Sequence, residues 1–269
     1  MSGINPIGTT DYSWLFNSTA NNKKQDSISQ LWNAYGNYQS NAQSSLAGLS
    51  EINANLKAVL ASYDEAKNTF NAEFKENMDS LSESAKEVAK YSFSVAKEGA
   101  ITNTETTDEN GITSIKTTYS KDLQSALDVV SDFVSDYNSS LKFLNDNASV
   151  SKRMENLANN FNDAGYRASA YESIGLTVGA GGMLEINEEI LANAIVENPD
   201  RVSSILGSDG LAGKVESHIS FANSQQENLF PTAQAMLGDQ ISAASLYTGK
   251  AYQNMASYAN MGNLLNMML

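Results

Sequence analysis

Few side chains in this 269-residue chain could do chemistry, because it has one histidine and no cysteine. Without cysteine there is no thiolate nucleophile, disulfide frame or Cys-based zinc site. His218 lies beside the Val215/Ile219 seam with no acid–base constellation around it, and reads as a partly exposed structural histidine. Glu188 and Glu189 are adjacent rather than facing, which suits a helix N-terminus better than a general acid/base pair. The run Val178-Gly179-Ala180-Gly181-Gly182 has the glycines of a phosphate loop, but no Lys-Ser/Thr follows and a short strand, not a helix, comes next. It reads as a hairpin turn. Asn145-Asp146-Asn147 could open a calcium loop, yet Val150 and Asn156 fill the sixth and twelfth positions, where Gly and Glu are needed. A helix-linking turn is the better reading. No catalytic, cofactor-binding or metal site is expected, and the enzyme class is disfavoured.

Charge narrows the partners. Seventeen Lys plus Arg against thirty-one Asp plus Glu give 17 − 31 = −14, a field that repels nucleic acid and anionic lipid. No run approaches the ~18 consecutive apolar residues of a membrane helix, so no membrane insertion is expected. Residues 1–25 form a polar stretch without a basic n-region or a long apolar h-region. It reads as a disordered leader rather than a cleaved signal.

The elements that would position these residues are written in the apolar spacing. Over residues 26–99 apolar side chains recur every three or four positions: Ile28, Leu31, Tyr35, Tyr38 and Ala42, then Leu49, Ile52, Leu56, Val59, Tyr63, Ala66 and Phe70. Two successive steps of four, Phe70 to Phe74 to Met78, make a stutter before Leu81, Ala85, Val88 and Val95 resume the stripe. The spacing predicts one long coiled-coil helix, ~100 Å if unbroken. Residues 100–120 change to Thr/Ile alternation around Asn110-Gly111, a hairpin signal, with Ile112, Ile115 and Tyr119 as apolar residues of its tip. Residues 121–230 read as a helical middle domain with a short hairpin near 176–186, a helix capped by Asn187, and another begun by Asn198-Pro199. Over residues 231–269, Leu237, Ile241, Ala244, Thr248, Ala251, Met255, Tyr258, Gly262, Leu265 and Leu269 step 4-3-4-3 throughout.

The expected fold is therefore mainly α: long heptad-patterned helices in an antiparallel coiled-coil or helical bundle, with a small β-hairpin insertion. The N-terminal stripe is the longer, which leaves seam for assembly with other copies. The expected assembly interface is Leu237, Ile241, Ala244, Met255, Tyr258, Leu265 and Leu269 at one end, with Ile28, Leu31, Tyr35, Leu49 and Ile52 at the other.

Ala126-Leu127 with Phe133-Val134-Ser135-Asp136-Tyr137-Asn138 resembles the "FV-x-x-YN" helix of the bacterial flagellar filament-capping family, also called hook-associated protein 2. Ile174-Gly175-Leu176, Gly182-Met183-Leu184-Glu185-Ile186-Asn187, Leu191, Ala194, Asn198-Pro199, Val202, Leu206 and Gly210-Leu211-Ala212 are similar to that family's C-terminal signature in order and spacing. The resemblance covers a little over a hundred residues by motif and the flanking helices by pattern only.

That resemblance implies a cap subunit. In the family, paired terminal helices form a leg on the filament end, and a ring-like homo-oligomer covers newly exported flagellin while it folds and inserts. It also implies flagellin, hook-associated proteins and an export chaperone of the flagellar type III pathway as partners. The location would be extracellular, at the filament tip, without a cleaved signal peptide. The family carries large β-domains between its helical halves, where this chain has only residues 100–120, and its N-terminal signature is not evident here. A main cap and a shortened cap-like paralogue both fit. The alternatives are a hook–filament junction or filament-surface subunit, and a secreted coiled-coil adhesin presenting the hairpin.

Overall fold

A computed structural model describes residues 34, 49–107, 113–162 and 164–237. Over these the protein is mainly α with two small antiparallel sheets, as the spacing predicts. The chain divides into two compact units, Met1–Asn71 with Pro231–Leu269, and Ala72–Phe230. Helix α1, Leu49–Lys90, contributes residues to both.

In the first unit, Val59, Tyr63, Ala66 and Phe70 are the buried stripe of α1. The Tyr63 hydroxyl donates to the Pro231 carbonyl at 2.8 Å. Pro231 precedes α8, Ala233–Leu237, whose Ala235 N–H is accepted by the Thr232 hydroxyl at 3.2 Å.

The second unit begins with the later part of α1, where Phe74, Met78, Leu81, Ala85 and Val88 are buried. The spacing predicts helix to about Gly99, but α1 ends at Lys90 and Tyr91–Ala96 is irregular. Phe93 accounts for this. It lies five residues beyond Val88, off the helical stripe, yet it is 1 % exposed. An α-helix cannot turn both inward, so the chain leaves the helix and stacks Phe93 edge-on to Tyr91 at 5.2 Å.

Strands β1, Ile101–Thr107, and β2, Thr113–Tyr119, then pair antiparallel in unbroken register from Ile101↔Tyr119 to Thr107↔Thr113. That register corrects one expectation: Tyr119 sits at the base of the hairpin, far from its tip. The tip residues Asn110, Gly111 and Ile112 lie outside the described residues.

Helix α2, Lys121–Asp146, is the axis of the unit, opened by Ser120, whose hydroxyl accepts from the Leu123 N–H. Leu123, Ala126, Leu127, Val130, Phe133, Val134, Tyr137, Leu141 and Leu144 are all buried along it. Helix α3, Lys152–Phe161, follows a single 3-10 turn and is capped by Ser151. The Ser151 hydroxyl does two jobs, accepting from the Met154 N–H and donating to the Leu229 carbonyl at 2.6 Å.

The spacing also predicts one helix from Met154 to about Ser173. Instead α3 stops at Phe161, a 3-10 turn spans Ala164–Arg167, and α4 covers only Ala168–Glu172. The Phe161 carbonyl, which a continuing helix would offer to residue 165, receives the Tyr137 hydroxyl at 3.0 Å.

Strands β3, Leu176–Val178, and β4, Leu184–Ile186, form the second hairpin. Helix α5, Glu188–Glu197, starts at Asn187, and α6, Pro199–Leu206, starts at Asn198; each Asn side chain accepts the N–H three residues on. Both caps agree with the sequence reading. Helix α7, Leu211–Gln225, follows Gly210 and closes the unit with Leu211, Val215, Ile219 and Ala222 buried.

Candidate functional site

Several of the residues that carry the resemblance, Tyr137, Asn138 and Leu184, form a clamp around α2. Tyr137, 2 % exposed, reaches α3 through its hydroxyl as described. Its neighbour Asn138 turns to β4: its Nδ2 donates to the Leu184 carbonyl and its Oδ1 accepts the Leu184 N–H, both at 2.8 Å. One amide side chain thus stands in for the strand that β4 lacks on that edge. Tyr and Asn at successive positions point about 100° apart on a helix, which is why one pair can hold two different elements.

Gly175 fixes the approach to β3. Its φ is +87°, and a Cβ there would lie 2.6 Å from the Leu191 nitrogen and 2.8 Å from the Asn187 carbonyl oxygen. The Asn187 N–H returns to the Gly175 carbonyl at 2.7 Å, tying the start of β3 to the start of α5. The glycine run between the strands is a 3-10 turn, Ala180–Gly182, with Gly179 donating to the Met183 carbonyl at 2.7 Å. It is a hairpin turn, as the spacing indicated.

Other ties escaped sequence reading. Ser140, fully buried on α2, donates to the Asn77 carbonyl on α1 at 3.0 Å, and its small side chain lets the two helices approach. Ser82 donates to Glu216 of α7 at 2.8 Å and accepts from Lys86 at 2.7 Å. A serine in a helical stripe has no spacing that distinguishes such a tie from an exposed hydroxyl. Ser151 had a legible signal, since it stands just before the first apolar residue of a helix.

The residues weighed for chemistry are scattered. His218 is half-buried, its ring 5.3 Å from that of Phe161. Glu188 and Glu189 are exposed in the first turn of α5. Together with partial burial, which is the larger cause, their charges hold the Tyr119 hydroxyl above the usual tyrosine range. Burial, and then Asp122, Glu87 and Asp128, do the same to Tyr91. Asn145 and Asp146 end α2, and Asn147 caps it. An open groove between α1 and α2 is lined by Ser80, Glu83, Ser84, Glu87, Asp132, Ser135 and Asp136. No group of three or more His, Asp or Glu that could hold a metal ion occurs among the described residues. No helix among them is long and apolar enough to cross a membrane.

Of the expected assembly residues, Leu49 and Ile52 belong to α1 and Leu237 ends α8. Their side chains lie outside the described residues, as do Ile28, Leu31, Tyr35, Ile241, Ala244, Met255, Tyr258, Leu265 and Leu269 altogether. Of the hairpin residues, Ile115 is 65 % exposed, facing solvent opposite Glu105, and Tyr119 is half-buried.

Comparison of the chain with protein-family models, curated proteins and solved structures finds no match.

Proposed function

We propose that this chain is a structural, self-assembling component of the bacterial flagellum, a cap subunit at the filament tip that assists flagellin insertion. Support comes from the motif resemblance over residues 126–229, and one observation gives that resemblance physical content. The motif positions Tyr137, Asn138, Gly175, Leu184 and Asn187 join α2, α3, the second hairpin and the start of α5 into one framework, and Asn198 caps α6. A conjunction of residues each tied to a geometric need is less easily met by chance than a string of apolar positions.

In this reading the work is steric. The terminal stripes pair as an antiparallel coiled coil and present their remaining seam to flagellin, and the Ala72–Phe230 unit is the plate. Partners are further copies in a ring, flagellin, hook-associated proteins and a type III export chaperone, outside the cell. Repeated weak contacts let a subunit step as each flagellin enters.

The seam is testable by substitution. Leu237→Ala, Ile241→Ala and Leu265→Ala should each weaken binding to isolated filaments about tenfold or more, the loss of ~1.4 kcal/mol or more of apolar contact. Far-UV circular dichroism and urea unfolding of the Ala72–Phe230 unit should not change. Unaltered filament binding by all three variants would refute the placement.

The adhesin reading has one observation in its favour, the exposed Ile115 on a projecting ribbon. Deleting residues 101–119 separates the two. Short or absent filaments favour the cap, and lost surface binding with normal filaments favours the adhesin.

A further inference from the structure

The first unit holds α1 up to Asn71 together with Pro231–Leu269. Its stripe on α1 is buried at Val59, Tyr63, Ala66 and Phe70, and the spacing carries the same stripe back through Leu56, Ile52 and Leu49. Helix α8 has only five residues, about 8 Å of rise, whereas Leu49 to Phe70 rise about 30 Å. Residues 238–269 continue the apolar spacing of α8.

Two antiparallel stripes form common layers only where a step of three faces a step of three and a step of four faces a step of four. Leu49, Ile52 and Leu56 step three then four; Leu237, Ile241 and Ala244 step four then three. They match when Leu56 faces Leu237, Ile52 faces Ile241 and Leu49 faces Ala244, so that facing residues have numbers adding to 293. The same total fits each layer out to Ile28 with Leu265. A slip of one heptad, to 286 or 300, keeps the steps matched, so spacing alone leaves three registers.

Two observations choose among them. The Tyr63 hydroxyl donates to the Pro231 carbonyl at 2.8 Å. A helical side chain leans back over the turn before it, covering a spot about one residue N-terminal to its own Cα, so Pro231 stands level with about residue 62, as a total of 293 requires. A slip of one heptad would carry Pro231 about 10 Å along α1 and break that bond. The direction follows as well: run parallel, the segment would pass Asn71 within about nine residues, yet all of Pro231–Leu269 belongs to the first unit. The second observation is polar. Ser45 interrupts one stripe and Thr248 the other, and a total of 293 sets these hydroxyls face to face, with Ala42 against Ala251 in the next layer. A total of 286 sets Ser45 against Ile241, and 300 sets it against Met255, so a lone hydroxyl enters an apolar layer in either case.

We infer that the segment 238–269 docks, within its own chain, along the face of α1 that bears Leu49, Ile52 and Leu56 and along the stripe that precedes it, in the register that sets Ile52 against Ile241. The inference deepens the antiparallel pairing named above and rests on it, but it needs nothing of the flagellar location.

The chain has no cysteine of its own, so an introduced pair reports one contact in the full-length protein. Ala42→Cys with Ala251→Cys tests the register. Ala42→Cys with Ala244→Cys, and Ala42→Cys with Tyr258→Cys, test a slip of one heptad either way, which leaves the two sulfurs about 10 Å apart along the helix and too far to bridge. Under oxidised glutathione the first pair should close within one chain at least tenfold faster than either other pair, at a rate independent of protein concentration. Faster closure in a shifted pair would overturn the register and leave the pairing of the two ends standing. Disulfides only between chains, or none in any pair, would overturn the docking itself. Because a cysteine at position 258 removes a large side chain, a second reading avoids cysteine. Ser45→Leu and Thr248→Leu together should raise the melting temperature by more than the two single exchanges added, since the leucines complete one layer. Strictly additive effects would contradict the register.

Discussion

Asn138→Ala should lower the unfolding free energy of the full chain by about 2–4 kcal/mol, because it strands two backbone groups at once. Its side chain holds both the N–H and the carbonyl of Leu184 at 2.8 Å, and Leu184 is itself 2 % exposed. Water cannot easily replace the amide there, so each group loses its partner without compensation. Asn138→Asp keeps an acceptor for the Leu184 N–H but sets a carboxylate against the Leu184 carbonyl, and should be no better than alanine. Asn193→Ala, which loses a single bond to the Glu189 carbonyl on an exposed helix face, is the control and should cost under about 1 kcal/mol. Urea unfolding followed by circular dichroism measures all three. A loss below 0.5 kcal/mol (about the error of such differences) for Asn138→Ala would mean the clamp is incidental.

The second large effect is expected at Gly175. Alanine there meets two penalties: a left-handed φ of +87° and a Cβ within 2.8 Å of two backbone atoms at the start of α5. The first costs about 1–2 kcal/mol. The second cannot be relieved by rotating a side chain, because the obstructing atoms are the Leu191 nitrogen and the Asn187 carbonyl oxygen. Together they should exceed about 3 kcal/mol, a large share of the ~5–15 kcal/mol that keeps a native chain folded. Gly181 separates the two causes. Its φ is +68° but nothing lies within 4 Å of a Cβ, so Gly181→Ala should cost only about 1 kcal/mol. Thermal unfolding of both variants measures the difference, and equal losses would show that the close approach at Gly175 is relieved by backbone movement.

These two residues also mark what was legible in the sequence. The apolar stripes foretold α1 and α2, because one buried face at helical period leaves its signature in spacing alone. Asn187 and Asn198-Pro199 foretold two helix starts, since capping chemistry is local. Tyr137 and Asn138 stood out as a motif, but their partners Phe161 and Leu184 lie 24 and 46 residues away, a separation no local pattern encodes. For the same reason the spacing predicts continuous helix through the break after Phe161. Nor was the end of α1 at Lys90 visible, because Val95 keeps the apolar period through a segment that Phe93 pulls out of the helix. At the hairpin, Asn110-Gly111 marks a turn but not the length of the arms, so the sequence places Tyr119 near the tip, whereas it pairs with Ile101 at the base. Of the residues weighed for chemistry, Glu188 and Glu189 sit in the first turn of a helix, as their adjacency suggests, and His218 meets the Phe161 ring, a contact that no spacing encodes.

The function proposed for the chain makes a claim about place before it makes one about contacts. Immunogold electron microscopy of the producing cells, with antibody raised to residues 121–230, tests it most directly. The account predicts label confined to the free tips of flagellar filaments. Label along the filaments, at their base or away from flagella would contradict it.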